Sequence, residues 1–265
     1  MSNITIGQYY NVNSIIHKLD PRVKLFGTLI FIVALFVANN SVSYAIITFS
    51  LVAVIIASKV PFIRLIKGMK QILIILIISS LCNMFFVKSG NTLVHFGAVN
   101  ITSGGVIKAA YIGLRLIYLV IGTSVMTLTT KPSDMADGLE KSLGFLKVIK
   151  IPVHEIAMMM SLALRFIPTL MEETDKIIKA QTARGADFES GGLIRKVKNY
   201  IPILVPLFVS SIERALELAT AMEARCYRGG VRTKFRPLKY NKTDIIAYGV
   251  QILFLAGIIC ANLLS

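Results

Sequence analysis

Charge is scarce in this sequence. Asp, Glu, Lys and Arg make up 16% of its 265 residues and apolar residues 55%, against about 25% charged in a soluble domain. With a mean hydropathy of +0.70, this balance is that of a membrane protein. Acidic residues are scarcer still, 14 against 29 Lys and Arg, for a net charge of +15. In a soluble chain that excess would suggest nucleic acid. In a membrane chain the placement of charge matters more than its sum, and no nucleic-acid partner is expected. Tryptophan is absent, and the three cysteines, Cys82, Cys226 and Cys260, lie far apart. No CxxC or zinc spacing exists, so neither a metal site nor a disulfide framework is expected. The N-terminus is polar through Asp20 and lacks a basic stretch leading to a small-residue cleavage site, so the first apolar run is expected to stay as an anchor.

Catalytic tools are missing too. No Gly-Lys-Ser/Thr occurs, which excludes ATP hydrolysis through a P-loop. His154-Glu155 has no second His at zinc-helix spacing; His17, His95 and His154 sit in separate regions, and no Gly-x-Ser-x-Gly exists. Glu172-Glu173 reads as a solvated helix face. The expectation is a protein that is not an enzyme, with no catalytic residue and no cofactor.

What the chain has is long apolar runs. They cover residues 23–38, 42–58, 72–87, 106–128 and 245–264, which read as five transmembrane helices. Every Lys and Arg except Lys88, Lys108 and Arg115 falls in segments that share one side if the N-terminus is inside. The short loop at 59–70, with Lys59, Arg64, Lys67 and Lys70, is the best witness to that orientation. The expected organisation is a membrane domain of four spans (1–129), a cytoplasmic domain with two long helices (130–241) and a last span (242–265). The fold class is an all-α membrane protein with two long helices at the inner membrane surface. Residues 88–105, rich in Gly, Asn and Ser, read as a loop with room for a small hairpin.

Two long helical patterns organise the chain. The first runs out at Ala183-Arg184-Gly185 and the second at Ala224-Arg225-Cys226. Laying one word on the other puts Glu213 over Glu172 and Ala221 over Ala180, so one device is used twice. Each pattern carries an apolar seam at helical spacing: Ile156, Met160, Ala163, Ile167 and Leu170, then Phe208, Ile212, Ala215, Ala219 and Met222. A crossing by 151–171 is conceivable, but Arg165, Pro168 and the brackets His154-Glu155 and Glu172-Glu173 argue for arms lying along the inner surface.

The plain structural reading of an Arg at a helix end is that cations offset the dipole and Gly closes the cap. That explains one tip well and two tips with the same Ala before the Arg less well. An Arg fork bonds carboxylates and carbonyls in pairs, so the arginines read as anchors for a partner. Met158-Met159-Met160 reads either as filling or as an adaptable surface for several partners. Arg115, midway along the fourth span, must face protein or water. Gly105, Ala109 and Gly113 form a small-residue packing ridge.

The two arginine words, within Gln181-Thr182-Ala183-Arg184-Gly185 and Ala221-Met222-Glu223-Ala224-Arg225-Cys226-Tyr227-Arg228-Gly229-Gly230, occur with Asp20-Pro21-Arg22-Val23-Lys24-Leu25 near the start. Together they resemble the transmembrane T component of energy-coupling factor (ECF) type ABC transporters, over essentially the whole chain. The resemblance implies a coupling subunit of a vitamin or micronutrient importer in a bacterial cell membrane. Its partners would be two cytoplasmic ABC ATPase subunits, as a homodimer or heterodimer, and one or more substrate-binding S components in the lipid bilayer. Ala183, Arg184, Gly185 and Ala224, Arg225, Cys226 would dock the ATPases. Ile156, Met159, Met160, Ala163, Ile167, Phe208 and Ile212 would face the S component. Cys226 stands where the family has Gly; a left-handed backbone there would strain a Cys, and Gly229-Gly230 offers another turn. The rival readings are a stand-alone permease binding substrate near Arg115, Asn83 and Ser79-Ser80, and an intramembrane enzyme, which lacks paired carboxylates or histidines in its spans.

Overall fold

The computed structural model describes residues 9–69, 73–86, 92–96, 99–186, 188, 192–229 and 238–263. They divide into two compact units, Met1–Ser142 with Leu238–Ser265, and Leu143–Pro237. Among the described residues the protein is all-α apart from one short hairpin, β1 (Thr92–Phe96) and β2 (Val99–Thr102), antiparallel with an irregularity between Thr92 and Val94.

In the first unit the apolar runs become α2 (Pro21–Val37), α3 (Ser41–Ser58), α5 (Leu73–Phe86), α6 (Ser103–Thr129) and α10 (Lys242–Leu263). Shorter helices are α1 (Ile15–Lys18), α4 (Phe62–Met69) and α7 (Pro132–Ser142). The second unit holds a 3-10 turn (Leu143–Ile149), α8 (Val153–Ala183) and α9 (Leu193–Ala224). Four described helices are long and apolar enough to cross a membrane: α3, α6, α8 and α10. This set differs from the five runs expected. At 17 and 14 residues, α2 and α5 are short, α2 lying at the lower limit for a ~30 Å hydrocarbon core. By the same measure α8 qualifies, because Arg165 is the one charge between Glu155 and Glu172.

Both ends of α2 are closed by other helices. Asp20 caps its start, accepting from the Arg22 N–H at 2.9 Å, and its carboxylate holds the Arg22 guanidinium with a second bond at 2.9 Å. The Asp20 N–H donates to Asp244 Oδ1 of α10 at 2.9 Å, and the Asn241 N–H donates to Asp244 Oδ2 at 2.7 Å. Asp244 is only 1% exposed. Arg22 also lies over the Tyr240 ring at 3.9 Å. One turn on, the Lys24 ammonium donates to the carbonyls of Thr129 (2.9 Å) and His17 (3.2 Å), answering the open C-terminal end of α6. At the far end of α2, Asn262 Nδ2 donates to the Val37 carbonyl at 2.6 Å and Arg115 Nη2 to the Ala38 carbonyl at 2.9 Å. Arg115 therefore caps a helix. Ser80 donates to the Ala109 carbonyl and Asn83 to the Ser79 carbonyl, so these candidate substrate groups of a permease also serve helix backbones.

These contacts fix helix directions. Asp244 meets Asp20 and Asn262 meets Val37, so α10 runs parallel to α2. Lys24 meets Thr129 and Ala38 meets Arg115, so α6 runs opposite to α2. The pairs Ser41–Tyr111 and Thr48–Tyr118, both 2.7 Å between hydroxyls, make α3 parallel to α6. The small-residue ridge of α6 is buried, and a Cβ on Gly113 would press on the Ser80 hydroxyl at 3.3 Å. Two apolar clusters fill the unit, one around Ala34, Leu35, Ile47 and Ile258, the other around Leu51, Leu65, Ile121 and Val125. Large apolar side chains such as Phe49 and Leu253 point outward, as a bilayer requires.

Ahead of α2, the His17 ring bridges the Tyr10 carbonyl (2.9 Å) and the Ser14 hydroxyl (2.7 Å). A carbonyl only accepts, so Nε2 carries the proton and Nδ1 receives the Ser14 O–H. Burial, aided by the charge of Lys24, lowers the His17 pKa and keeps the ring neutral. Burial of Asp20 works to raise its pKa, but the Arg22 bonds and charge outweigh it and hold the carboxyl ionised below its usual range.

Asp244→Ala strands two N–H groups, one of them buried, at a cost of about 2–4 kcal/mol. Thermal unfolding in detergent is expected to move down by several degrees, while Lys242→Ala, at an exposed position of the same turn, leaves it in place. Equal transitions for both variants would show that Asp244 does not hold the two helices together.

Candidate functional site

The two long helices end in the same way. α8 stops at Ala183, with Arg184 as its cap residue and Gly185 at φ +86°. α9 stops at Ala224, with Arg225 as its cap residue and Cys226 at φ +57°. The Gly185 N–H donates to the Thr182 carbonyl and the Ala186 N–H to the Gln181 carbonyl, both at 3.0 Å. The Cys226 N–H donates to Glu223 at 2.8 Å and the Tyr227 N–H to Met222 at 3.0 Å. Both are Schellman closures, which turn the chain sharply and satisfy the last carbonyls. Cys226 takes the left-handed place itself, so Gly229-Gly230 does not replace it.

The closure leaves each arginine at the end of its helix and facing out. Arg184 and Arg225 are exposed, and among the described residues neither guanidinium has an ion-pair or hydrogen-bond partner. Each tip thus presents a complete set of five N–H donors beside a backbone already paired within its own turn.

The arms meet at a matched position. Glu173 Oε2 of α8 pairs with Arg214 Nη2 of α9 at 3.1 Å, and Arg214 lies 6.0 Å from the Phe166 ring centre. Each member of the pair stands eleven residues before the arginine of its own tip. At ~1.5 Å per residue the two arginines lie about 16 Å along their helices from the crossing. The arms beyond it are equal in length. The signal for this pair was present in the sequence, because the offset that aligns the tips also aligns Glu173 with Arg214.

The apolar seams are largely uncovered. Ile156, Met159, Met160 and Ala163 are exposed on α8, and Ile167 is half-buried. On α9 Phe208 is 67% exposed, with Ile212, Ala215 and Ala219 on the same side. The sheltered side of α9 is another stripe: Ile203, Leu207, Ser210, Arg214 and Leu218. Each arm of this unit therefore keeps one side sheltered and leaves an apolar side open.

Comparison with known proteins finds that the family model described as CbiQ, cobalt transport protein, matches residues 12–236. The chain is similar to the energy-coupling factor transporter transmembrane protein EcfT of Clostridium kluyveri, 50% identical over 268 residues, covering 100% of this chain and 97% of the relative. It is likewise similar to the EcfT proteins of Ruminiclostridium cellulolyticum, 45% identical over 97% of this chain and 96% of the relative, and of Bacillus subtilis, 45% identical over 98% of each.

An L-residue held left-handed costs about 1–2 kcal/mol. Cys226→Gly is therefore expected to stabilise the second tip, slowing amide hydrogen exchange at Cys226 and Tyr227 by about fivefold or more. Unchanged exchange at those amides would show that the tip carries no such strain.

Proposed function

This chain belongs to the EcfT family, the transmembrane component of energy-coupling factor transporters, and from that premise we propose that it works as the mechanical coupler of an importer. It is a transporter subunit and not an enzyme. In this reading Arg184 and Arg225, with the small residues beside them, dock into two cytoplasmic ATPase subunits. The open seam of Ile156, Met159, Met160, Ala163, Ile167, Phe208 and Ile212 holds a substrate-binding S component. Energy from ATP hydrolysis on the partners arrives as a change in the distance between the two docking grooves. The paired helices convert it into movement at the S component, which carries the vitamin or other micronutrient.

The observation that carries this reading is the pair of matching arginine tips, without a partner among the described residues, at equal distances from the Glu173–Arg214 crossing. Equal arms transmit displacement of either tip with the same leverage, which suits two ATPases acting together. Arginine suits the contact because its planar fork satisfies two acceptors at once. The Met residues of the seam suit exchangeable S components, since Met repacks at low cost.

Chain connectivity supports arms that lie along the inner surface. α6 ends beside Lys24 and α10 begins beside Asp20, so the segment between them starts and finishes on one side. A single crossing by α8 would need α9 to return, and among the described residues α9 lacks a sufficiently apolar stretch. The N-terminus and residues 130–241 are then cytoplasmic.

Reversing both charges, Arg184→Glu with Arg225→Glu, is expected to strip the ATPases from the purified complex and abolish uptake. The loss of two interfacial anchors at about 2–5 kcal/mol each amounts to well over a hundredfold in affinity. Retention of both ATPases by the double variant in mild detergent would remove the anchors from the mechanism.

Met159→Asp places a charge on the open seam. It is expected to weaken S-component capture in a pull-down while the ATPases remain bound. ATPases lost and S component retained would assign the seam to the opposite partner.

A further inference from the structure

The first unit contains a cavity that the coupling reading does not use. It lies among α2, α3, α6 and α10, with Ile16 of α1 and Leu19 at one end, and has a volume of about 180 Å³. One water needs only about 10–15 Å³, so the space suits a ligand far larger than a bridging solvent molecule. Its walls are mainly apolar, and besides the Ser50 hydroxyl of α3 two polar side chains on them have bonding capacity to spare.

The first is Lys24, nine-tenths buried at 9% exposure. An ammonium has three donors. Among the described residues the carbonyls of His17 and Thr129 accept two. The second is Gln251. Its Nε2 donates to the Val23 carbonyl at 3.1 Å, while its Oε1 is buried with no partner among the described residues. Gly27 makes that placement possible, because a Cβ there would collide with the Gln251 amide. One donor and one acceptor thus line the same largely apolar space.

The chemistry of the head group follows. An anion could accept from Lys24, but it has no proton to give the buried Gln251 Oε1, which only accepts. A hydroxyl is the smallest group that accepts from an ammonium and donates to an amide oxygen together. The direction of access also follows. Val54 of α3 and Val250 of α10 line the cavity and are 38% and 62% exposed, on helices whose outer faces are apolar. The mouth opens on the lipid side. We propose that this cavity binds an uncharged, hydroxyl-headed, single-chain amphiphile from the bilayer, of the monoacylglycerol class, with its hydroxyl between Lys24 Nζ and Gln251 Oε1 and its chain leaving between α3 and α10.

The absence of tryptophan makes the test direct. Val250→Trp places a sole reporter at the mouth, and Phe49→Trp places one on lipid-facing α3 at a position that does not line the cavity. The full-length chain in phosphatidylcholine nanodiscs is titrated with dibrominated monooleoylglycerol. Quenching at Val250→Trp is expected to saturate, and quenching at Phe49→Trp to rise linearly with partition. Adding Gln251→Leu to the Val250→Trp chain should raise the half-saturating concentration about tenfold, the scale of one lost hydrogen bond. Where that variant folds poorly, Ser50→Phe, which fills the space from α3, should abolish saturation. Linear quenching at both reporters would overturn the proposal. So would tighter saturation by a dibrominated fatty acid, which would show that the head group recognised is an anion.

Discussion

A helix in a bilayer has nowhere to send its end groups except to other parts of the protein. In the first unit this constraint falls hardest on α2, and its solution ties the chain together. Its N-terminal end is closed by Asp20 and Asp244, and its C-terminal end by Asn262 and Arg115. Apart from Asp20, the helix's own cap, the closing groups come from α10 and α6, which are distant in sequence. The polar atoms that close the ends of α2 are therefore the same atoms that bring α10 against it. Lys24 extends the logic to the end of α6. Within apolar surroundings each such bond is also directional, so the set fixes which helices run parallel as well as which ones touch.

The second unit is built on the opposite plan. Its buried apolar residues among those described are Val153, Ala157 and Ile203, few for two helices of 31 and 32 residues. Helix length here is not used to enclose a core. It carries a crossing at Glu173 and Arg214 and extends eleven residues beyond it on each arm. The half-exposed ion pair contributes little stability of its own. Its interest lies in position, since it fixes matched points of the two helices against each other while the seams stay open.

Much of this was legible in the sequence, for physical reasons that can be named. The apolar runs of α2, α3, α5, α6 and α10 were plain because hydrophobic length is a strong signal. The tips were plain because a helix end has a small vocabulary of cap residues. Arg115 was recognisable as a residue that had to find a partner, but not as the cap of Ala38, because that pairing spans 77 positions and no local pattern encodes it. Asp244 escaped for the same reason. It reads as an ordinary acidic residue in the first turn of a helix until Asp20 is brought to it. The crossing was missed although the repeat that revealed the tips also contained it. Glu172 and Glu213 drew attention as like residues in register, whereas the bond forms between unlike residues one place further on, Glu173 and Arg214.

Cys226 shows where a sequence pattern and a backbone can part company. A cysteine in place of the family's glycine puts the cap geometry in question, with Gly229-Gly230 on offer as another turn. The backbone instead keeps the turn and accepts the unfavourable dihedral. The reason lies in the hydrogen bonds. Moving the turn three residues on would extend the helix through Arg225, and the arginine would then lie along the helix side instead of standing at its end. Keeping the closure at Cys226 preserves the 2.8 Å and 3.0 Å bonds to Glu223 and Met222 and leaves Arg225 in the same relation to its helix as Arg184. The position of the guanidinium is worth more to this architecture than the strain of one left-handed cysteine, which is the choice expected of a chain whose two arms must end alike.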